Sequence, residues 1–279
     1  MTEQVRPTFL RRKLGAKLRR LREQAGLTLA VAAPKLDKQK SSLHRIEIGQ
    51  TKADVHFVRS LMDLYDCYDE DLLDETREAL KPPWFRAYGL KNMGYVDVET
   101  EADEVNEFSL IIVPGLLQTE AYMEAMFREH PGWEPGEADK HIAVRIIRRG
   151  RLTGEDRPLK LVAVVYETAL RTEIGGPDVM REQLRHLIQM AALPTVTLQV
   201  IPLKSAHYAL EGSFILLRFP DPEDPELLYV EYLTGSLHIE KAPEVQEGRL
   251  VFDRLQSDAL SPSESVQLLE GLIAELDGS

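Results

Sequence analysis

Apolar residues recur every three or four positions through the start of the chain, which is the spacing of helices that bury one face. The first run occupies positions 10, 14, 18, 21 and 25 and stops at Gly26, a residue that commonly follows the end of a helix. Thr28 can cap a second, short helix. The pattern therefore predicts two consecutive helices joined by a tight turn.

A third and a fourth helix are predicted to follow. We expect the third to open at Asp37 and to bury Leu43 and Ile46, and the fourth to span residues 55–65 and pack over it. The outer face of the third helix keeps hydrogen-bond donors and no acidic residue. This N-terminal region is thus predicted to be all-α.

The rest of the chain mixes strand and helix patterns. Nearly continuous apolar runs, as in strands covered on both faces, are LVAVVY (161–166) and FILLRF (214–219), and more alternating runs are TVTLQVIP (195–202) and LLYVEYL (227–233). Helices are predicted near 137–151, after GGPD (175–178) and after the capping box SPSE (261–264). These elements indicate an α+β domain with a mixed sheet.

The segment KPPWFRAYG interrupts the helical pattern, because two successive prolines cannot continue a helix. We therefore expect three parts: an all-α helix-turn-helix domain over 1–80, a linker over 81–94 and a larger α+β domain over 95–279. The larger part is expected to serve as an effector or dimerisation domain.

Charge divides the chain in the same way. The whole protein carries 34 Lys and Arg against 46 Asp and Glu, a net charge of −12 that would argue against nucleic-acid binding. Residues 1–60, however, hold fourteen basic and five acidic side chains. A basic N-terminal segment joined to an acidic remainder is compatible with DNA binding by the N-terminal segment alone.

Several classes of protein are disfavoured by the sequence. Apolar runs are too short to span a bilayer and the first residues lack the apolar core of a secretory signal, so we expect a cytoplasmic protein without a membrane partner. The single Cys67 cannot form an intrachain disulfide. Nucleotide-binding, zinc-protease and serine-hydrolase motifs are missing. We therefore expect no enzymatic activity, cofactor or metal.

A short helix, a turn and a donor-rich helix form a unit that fits a DNA major groove. The residues LRRLREQAGLTLAVAAPKLDKQKSSLHRIEIGQTKAD, and above all LREQAGLT, the alanine pair and RIExG, resemble the lambda-repressor-like (Xre-type) helix-turn-helix family. The resemblance implies that the first residues of the third helix meet base edges and that Thr28 and the first-helix arginines meet phosphates. DNA-binding candidates are thus Arg20, Thr28, Lys38, Gln39, Lys40, Ser41, Ser42 and Arg45.

Two residues depart from that family pattern. Leu29 stands where the family usually has a glutamine that braces the reading helix or touches phosphate. Pro34 lies late in the second helix, where it removes a hydrogen bond and is expected to shorten or bend the last turn. The glutamine contact is therefore missing at Leu29, and a shortened or bent second helix would change the register of the third.

The larger part carries a second resemblance. Strings such as VPGLLQTEAYMEAM (113–126), YETALRTEIGGPDVMREQLRHL (166–187) and FDRLQSDALSPSES (252–265) resemble the effector domain of WhiJ-like actinobacterial regulators. The resemblance implies transcriptional control and, as in antitoxin-like members, a small acidic protein partner encoded nearby. It supplies no ligand.

Three residues are candidates for chemistry in the larger part: Glu167 at a strand end, Arg171 just after it, and His207 in a loop. They would suit proton transfer if they converged. The simpler interpretation is a local ion pair at i, i+4 and a loop histidine. The basic run VRIIRRGR could likewise bind an anion or pair within the domain.

Three hypotheses follow from these patterns. The first is a sequence-specific DNA-binding regulator, working as a homodimer on operator DNA and modulated through its C-terminal domain. The second is an antitoxin-like module whose main role is to bind a small protein. The third is an enzyme fused to a DNA-binding head, and the missing catalytic motifs place it last.

Overall fold

The computed structural model describes residues 7–90, 93–128, 133–205 and 212–278. The chain divides into two compact units, Met1–Val98 and Glu99–Ser279. Residues 81–94, expected to be a linker, therefore belong to the first unit. The division lies within a helix, Gly94–Glu101.

The first unit is all-helical, as the sequence predicts. Its α-helices are α1 (Phe9–Gln24), α2 (Leu29–Lys35), α3 (Lys40–Glu47), α4 (Val55–Tyr65), α5 (Glu70–Leu80) and α6 (Gly94–Glu101), with a 3₁₀ helix at Trp84–Tyr88. Leu14, Leu18, Leu43, Leu61 and Leu72 are among the residues that form one core. Each comes from the apolar face of its helix, so burial of those faces joins α1 to α3, α4 and α5.

The third helix begins at Lys40 and not at Asp37, which corrects the sequence prediction. Asp37 adopts the left-handed conformation, with φ +52°, and closes α2. The amides of Asp37 and Lys38 donate to the carbonyls of Pro34 and Ala33 at 3.2 and 2.9 Å, the pattern of a Schellman cap. Pro34 thus sits inside the last turn of α2, and the helix ends one residue later.

A buried ion pair joins α1 to α3. The Arg22 guanidinium donates from Nε and Nη2 to the Glu47 carboxylate at 2.6 and 2.8 Å, and from Nη1 to the carbonyl of Leu27 at 2.8 Å. Both charged residues are buried. The crossing is close, because a Cβ at Gly15 would lie 2.6 Å from the carbonyl oxygen of Glu47. The Arg22 side chain therefore fixes α1, the turn after it and α3 relative to one another.

The second unit contains a six-stranded mixed sheet in the order β3-β2-β1-β4-β5-β6. Its strands are β1 (Glu104–Ser109), β2 (Lys160–Tyr166), β3 (Val196–Ile201), β4 (Phe214–Arg218), β5 (Leu227–Tyr232) and β6 (Gly235–Ile239). Strands β1, β2 and β3 are parallel, whereas β4, β5 and β6 are added in antiparallel pairs. The predicted mixed sheet is confirmed.

Helices complete the second unit: α7 (Glu120–Arg128), α8 (Glu137–Gly150), α9 (Glu167–Arg171), α10 (Pro177–Ala191), α11 (Ala242–Asp258) and α12 (Pro262–Asp277), with a 3₁₀ helix at Gly115–Leu117. Phe252 and Leu255 of α11 pack with Phe108 of β1 in one core. Ser261 and Glu264 form the predicted capping box of α12. Within the described residues, no helix is both long and apolar enough to cross a membrane.

The α1–α3 ion pair generates a stability prediction. Glu47→Ala leaves the Arg22 charge buried without a partner, so the free energy of unfolding should fall by about 3–5 kcal/mol. Urea unfolding of the full chain, followed by circular dichroism, measures the change.

Glu78→Ala is the control, because Glu78 pairs with Lys81 at 2.6 Å on the exposed surface of α5. Exposed pairs contribute little, so this variant should unfold close to wild type. Equal losses in both variants would show that burial of the Arg22 pair is not what stabilises the crossing.

Candidate nucleic-acid interface

Every exposed side chain of α3 can donate a hydrogen bond, and none is acidic. Lys40, Ser41, His44 and Arg45 are exposed, and the acidic residue of this helix, Glu47, is buried against Arg22. Leu43 and Ile46 are 1% and 5% exposed, as predicted. Burial of the one carboxylate therefore leaves a helix surface without negative charge.

The end of α1, the α1–α2 turn and α3 share one surface depression. Arg19, Thr28, Lys40 and His44 are among the residues that line it. Thr28 occupies the N-cap position of α2 but its side chain makes no capping hydrogen bond, so the exposed hydroxyl is available to another acceptor. Two DNA-binding candidates, Thr28 and Lys40, are thus brought to the same place.

The remaining candidates surround the start of α3. Gln39 is its N-cap residue and is exposed, and Ser42 is half-buried. The Lys38 ammonium lies 5.3 Å from the centre of the Phe57 ring, which restrains it against α4. Arg45 bonds through Nε to the carbonyl of Ser41 at 3.3 Å. Lys38 and Gln39 therefore lie in the turn before the helix.

The basic residues of α1 have different environments. Arg20 is exposed and forms no ion pair with any residue in the described part of the chain. Lys17 instead pairs with Asp69 and Glu75 at 3.2 and 2.9 Å. Arg22 is buried. Of the arginines on this helix, Arg20 best keeps the availability that a phosphate contact requires.

The buried pair was missed by the sequence interpretation, although a signal for it exists. Arg22 follows Leu14 and Leu18 at intervals of four residues, and Glu47 follows Leu43 at the same interval. Both positions therefore continue an apolar stripe, where a charged residue needs a partner of opposite sign.

Glu167 and Arg171 come together as a structural ion pair. Arg171 Nε lies 2.6 Å from Glu167 Oε1, and its Nη1 lies 2.8 Å from Glu275 of α12. The other Glu167 oxygen accepts the amide of Leu203 at 2.8 Å. Both carboxylates pair with Arg171, so this geometry favours the local ion pair over proton transfer. His207 lies outside the described residues.

The basic run on α8 is used mainly within the domain. Arg148 binds Glu99 through Nε and Nη2, at 2.7 and 2.6 Å, and both residues are buried. Arg151 donates to the carbonyls of Glu99 and Ala102 at 2.5 and 2.7 Å. Of the two interpretations of this run, pairing within the domain therefore holds for Arg148 and Arg151.

Arg145, earlier on α8, contacts an amide and an aromatic ring of the same domain. Its Nη1 donates to Gln118 Oε1 at 2.5 Å, and its guanidinium lies 4.8 Å from the centre of the Phe127 ring. Gln118 is itself fixed, because its Nε2 donates to the carbonyl of Val113 at 2.7 Å. Burial and the nearby Arg148 charge lower the pKa of Arg145 to about 10.

Two family models match the chain. A model described as a domain of unknown function, DUF5753, matches residues 93–271, which is more than half of the sequence. The chain belongs to the DUF5753 family. A helix-turn-helix domain model matches residues 13–76 and confirms the architecture predicted for the first unit. The chain matches no curated protein and no solved structure.

A buried carboxyl group lies at the centre of the DUF5753 sheet. Glu107 on β1 is 9% exposed, and its Oε1 accepts the Ser109 hydroxyl at 3.1 Å. Burial raises the pKa of Glu107 to about 7, the nearby Glu99 charge also raises it, and Arg145 and Arg148 oppose that effect. Nothing in the sequence pattern had marked this residue, because the strand that carries it was not predicted.

The buried Glu107 generates a pH prediction for the DUF5753 domain. Unfolded Glu107 ionises near 4.5 and folded Glu107 near 7, so this group makes the protein less stable as pH rises between those values, by about 3 kcal/mol in total. Glu107→Gln should remove that loss, so the variant gains stability relative to wild type from pH 4.5 to pH 8. Urea unfolding of both proteins at both pH values measures the free energies. An equal change in the free energy of unfolding of wild type and variant between the two pH values would contradict the prediction.

Proposed function

We propose that the protein is a sequence-specific DNA-binding transcriptional regulator that reads operator DNA with α3. The observation that carries the proposal is the exposed start of this helix, which presents donors without acids and is supported from beneath by the Arg22–Glu47 pair. Acceptors and methyl groups in the major groove suit such a surface. The helix-turn-helix match to residues 13–76 supports the same function.

Each candidate residue has a proposed role. Gln39, Lys40, Ser41 and Ser42 contact base edges, and Arg45 assists them from the next turn of α3. Thr28, Lys38 and Arg20 contact phosphates, where they set affinity and orientation more than sequence preference. These assignments follow from exposure and position around the start of α3.

The DUF5753 domain is proposed to modulate DNA binding in response to a ligand or a small protein partner. We further propose a cytoplasmic homodimer, because two-fold readers of this class place their helices about 34 Å apart in successive major grooves. The resemblance to WhiJ-like actinobacterial regulators supports this finer description. Repression or activation would follow from where the operator lies.

Two substitutions separate base reading from phosphate contact. Lys40→Ala should weaken binding to the operator about tenfold or more while leaving binding to unrelated DNA nearly unchanged, because base contacts carry about 1–3 kcal/mol of discrimination. Arg20→Ala should weaken both and reduce the slope of log affinity against log salt by about one. Operator fragments selected by the purified protein, followed by fluorescence anisotropy at several salt concentrations, measure both effects.

Lys140→Ala is the matched control, since Lys140 is an exposed lysine on α8. It should leave both affinities at the wild-type value. If Lys40→Ala binds the operator as tightly as this control does, α3 is not the reading helix in the way proposed.

An antitoxin-like module is the second candidate function, and exposed apolar side chains at one end of the sheet favour it. Tyr232, Leu233 and Leu237, in the β5–β6 hairpin, are 51%, 102% and 50% exposed. Exposed apolar patches commonly mark protein interaction sites. The proposed partner is the small acidic protein encoded nearby.

Co-purification tests this second function. The product of a neighbouring gene should be retained by the full chain from its native host, and Leu233→Ser with Leu237→Ser should reduce retention at least tenfold. A complex that forms and excludes DNA would make protein binding the primary role. Retention that is unchanged in the double variant would remove the hairpin from the proposal.

A further inference from the structure

An apolar patch lies inside the surface depression beside α3. Leu27, Leu29 and Ala30 line the depression together with Lys40 and His44 of α3. Leu27 and Leu29 are half-buried and Ala30 is exposed, so each remains accessible to solvent. Lys40 and His44 are four residues apart and therefore share one face of the helix. The depression thus brings apolar surface next to two donors on the helix proposed to read DNA.

Leu29 lies between the core and this depression. It is the first residue of α2, and it packs against the core of the first unit as a partly buried side chain. Ala32 and Ala33, one turn later on the same helix, are both 0% exposed. A half-buried leucine on its own needs no explanation. This one, however, keeps part of its surface in the depression that Lys40 also lines.

The carboxylates that line the depression are paired with arginines. Glu47 pairs with Arg22 at 2.6 Å, and both residues are buried. Glu23 accepts a hydrogen bond from Arg19 Nε at 2.8 Å. The pairing reduces the repulsion that these acids would exert on phosphates. The apolar patch is therefore compatible with close approach of an apolar group that belongs to DNA.

The apolar feature of base edges in the major groove is the 5-methyl group of thymine. We propose that Leu29 is a specificity-determining residue that reads a thymine through van der Waals contact with this methyl group, while Lys40 contacts a neighbouring base. The depression has a volume of about 600 Å³, enough to admit the edge of a base. This inference rests on the proposed function, because it requires α3 to lie in the major groove. It adds a preference for thymine that hydrogen-bond donors alone do not supply.

Replacement of single operator thymines by deoxyuridine tests the contact, because uracil lacks the methyl group and keeps every hydrogen-bonding atom. The operator is the one selected by the purified full chain. At one position in each half-site, uracil should weaken wild-type binding about fourfold, the contribution of one buried methyl group. Leu29→Ala should bind the thymine and uracil forms of that position with nearly equal affinity. Fluorescence anisotropy at one salt concentration measures the ratio of the two affinities.

Two further variants make the test specific. Leu29→Met keeps an apolar side chain of similar volume, so it should retain most of the fourfold ratio. Leu64→Ala is the matched control, since Leu64 is another half-buried leucine at the edge of the same core but lies on α4, outside the depression. It should keep the wild-type ratio at every position.

The ratio is insensitive to two other effects of the substitutions. Each ratio compares two DNAs with one protein preparation, so a loss of folded protein in a variant cancels. Any effect of uracil on the DNA itself is common to wild type and Leu29→Ala. A difference between their ratios therefore reports the contact between the methyl group and Leu29.

Two results would overturn the proposal. One is wild-type binding that is unchanged by uracil at every thymine of the operator. The other is a loss that is the same in wild type and Leu29→Ala at every position, which would assign the methyl contact to another residue. Under either result the Lys40 and Arg20 variants can still show their expected effects, so failure here is distinguishable from failure of the proposed function.

Discussion

The geometry of the first unit depends on burying one arginine against one glutamate. Burial of a charge is costly unless an opposite charge and further hydrogen bonds compensate for it, and Arg22 obtains both from Glu47 and the Leu27 carbonyl. The same side chain therefore ties α1, the turn and α3 together. It also removes the only carboxylate of α3 from the surface, so the interaction that positions this helix also makes its exposed face suitable for DNA.

The second unit follows the same rule with a different outcome. Arg148 and Glu99 repeat the buried bidentate pair, whereas Arg145 donates to the amide oxygen of Gln118. Burial lowers the pKa of Arg145 and raises that of Glu107, and groups with perturbed pKa values concentrate at functional sites. The contrast between neighbouring arginines on one helix is thus more informative than the presence of a basic run.

The sequence predicted the first four helices because each has clear apolar and polar faces, and it predicted four strands whose residues are apolar, but it did not predict α5 or α6. Strand β1 was missed although it is central in the sheet. Asn106, Glu107 and Ser109 are buried there, so the strand lacks the apolar signature of a covered position. The start of α3 was misplaced because Asp37 is a common N-cap residue, yet here it terminates the preceding helix in a left-handed conformation. The missed strand and the misplaced helix start therefore both arise from polar residues in positions where their residue type is uncommon.

The missing side chain at Gly15 has a consequence for how this module can change. Because α1 and α3 meet backbone to backbone at that position, the position of α3 depends on residues of its buried face. The exposed positions of α3 lie outside this contact, so they can be exchanged for other residues without repacking the α1–α3 crossing. New recognition specificities are then accessible by altering a handful of codons, with the scaffold held constant.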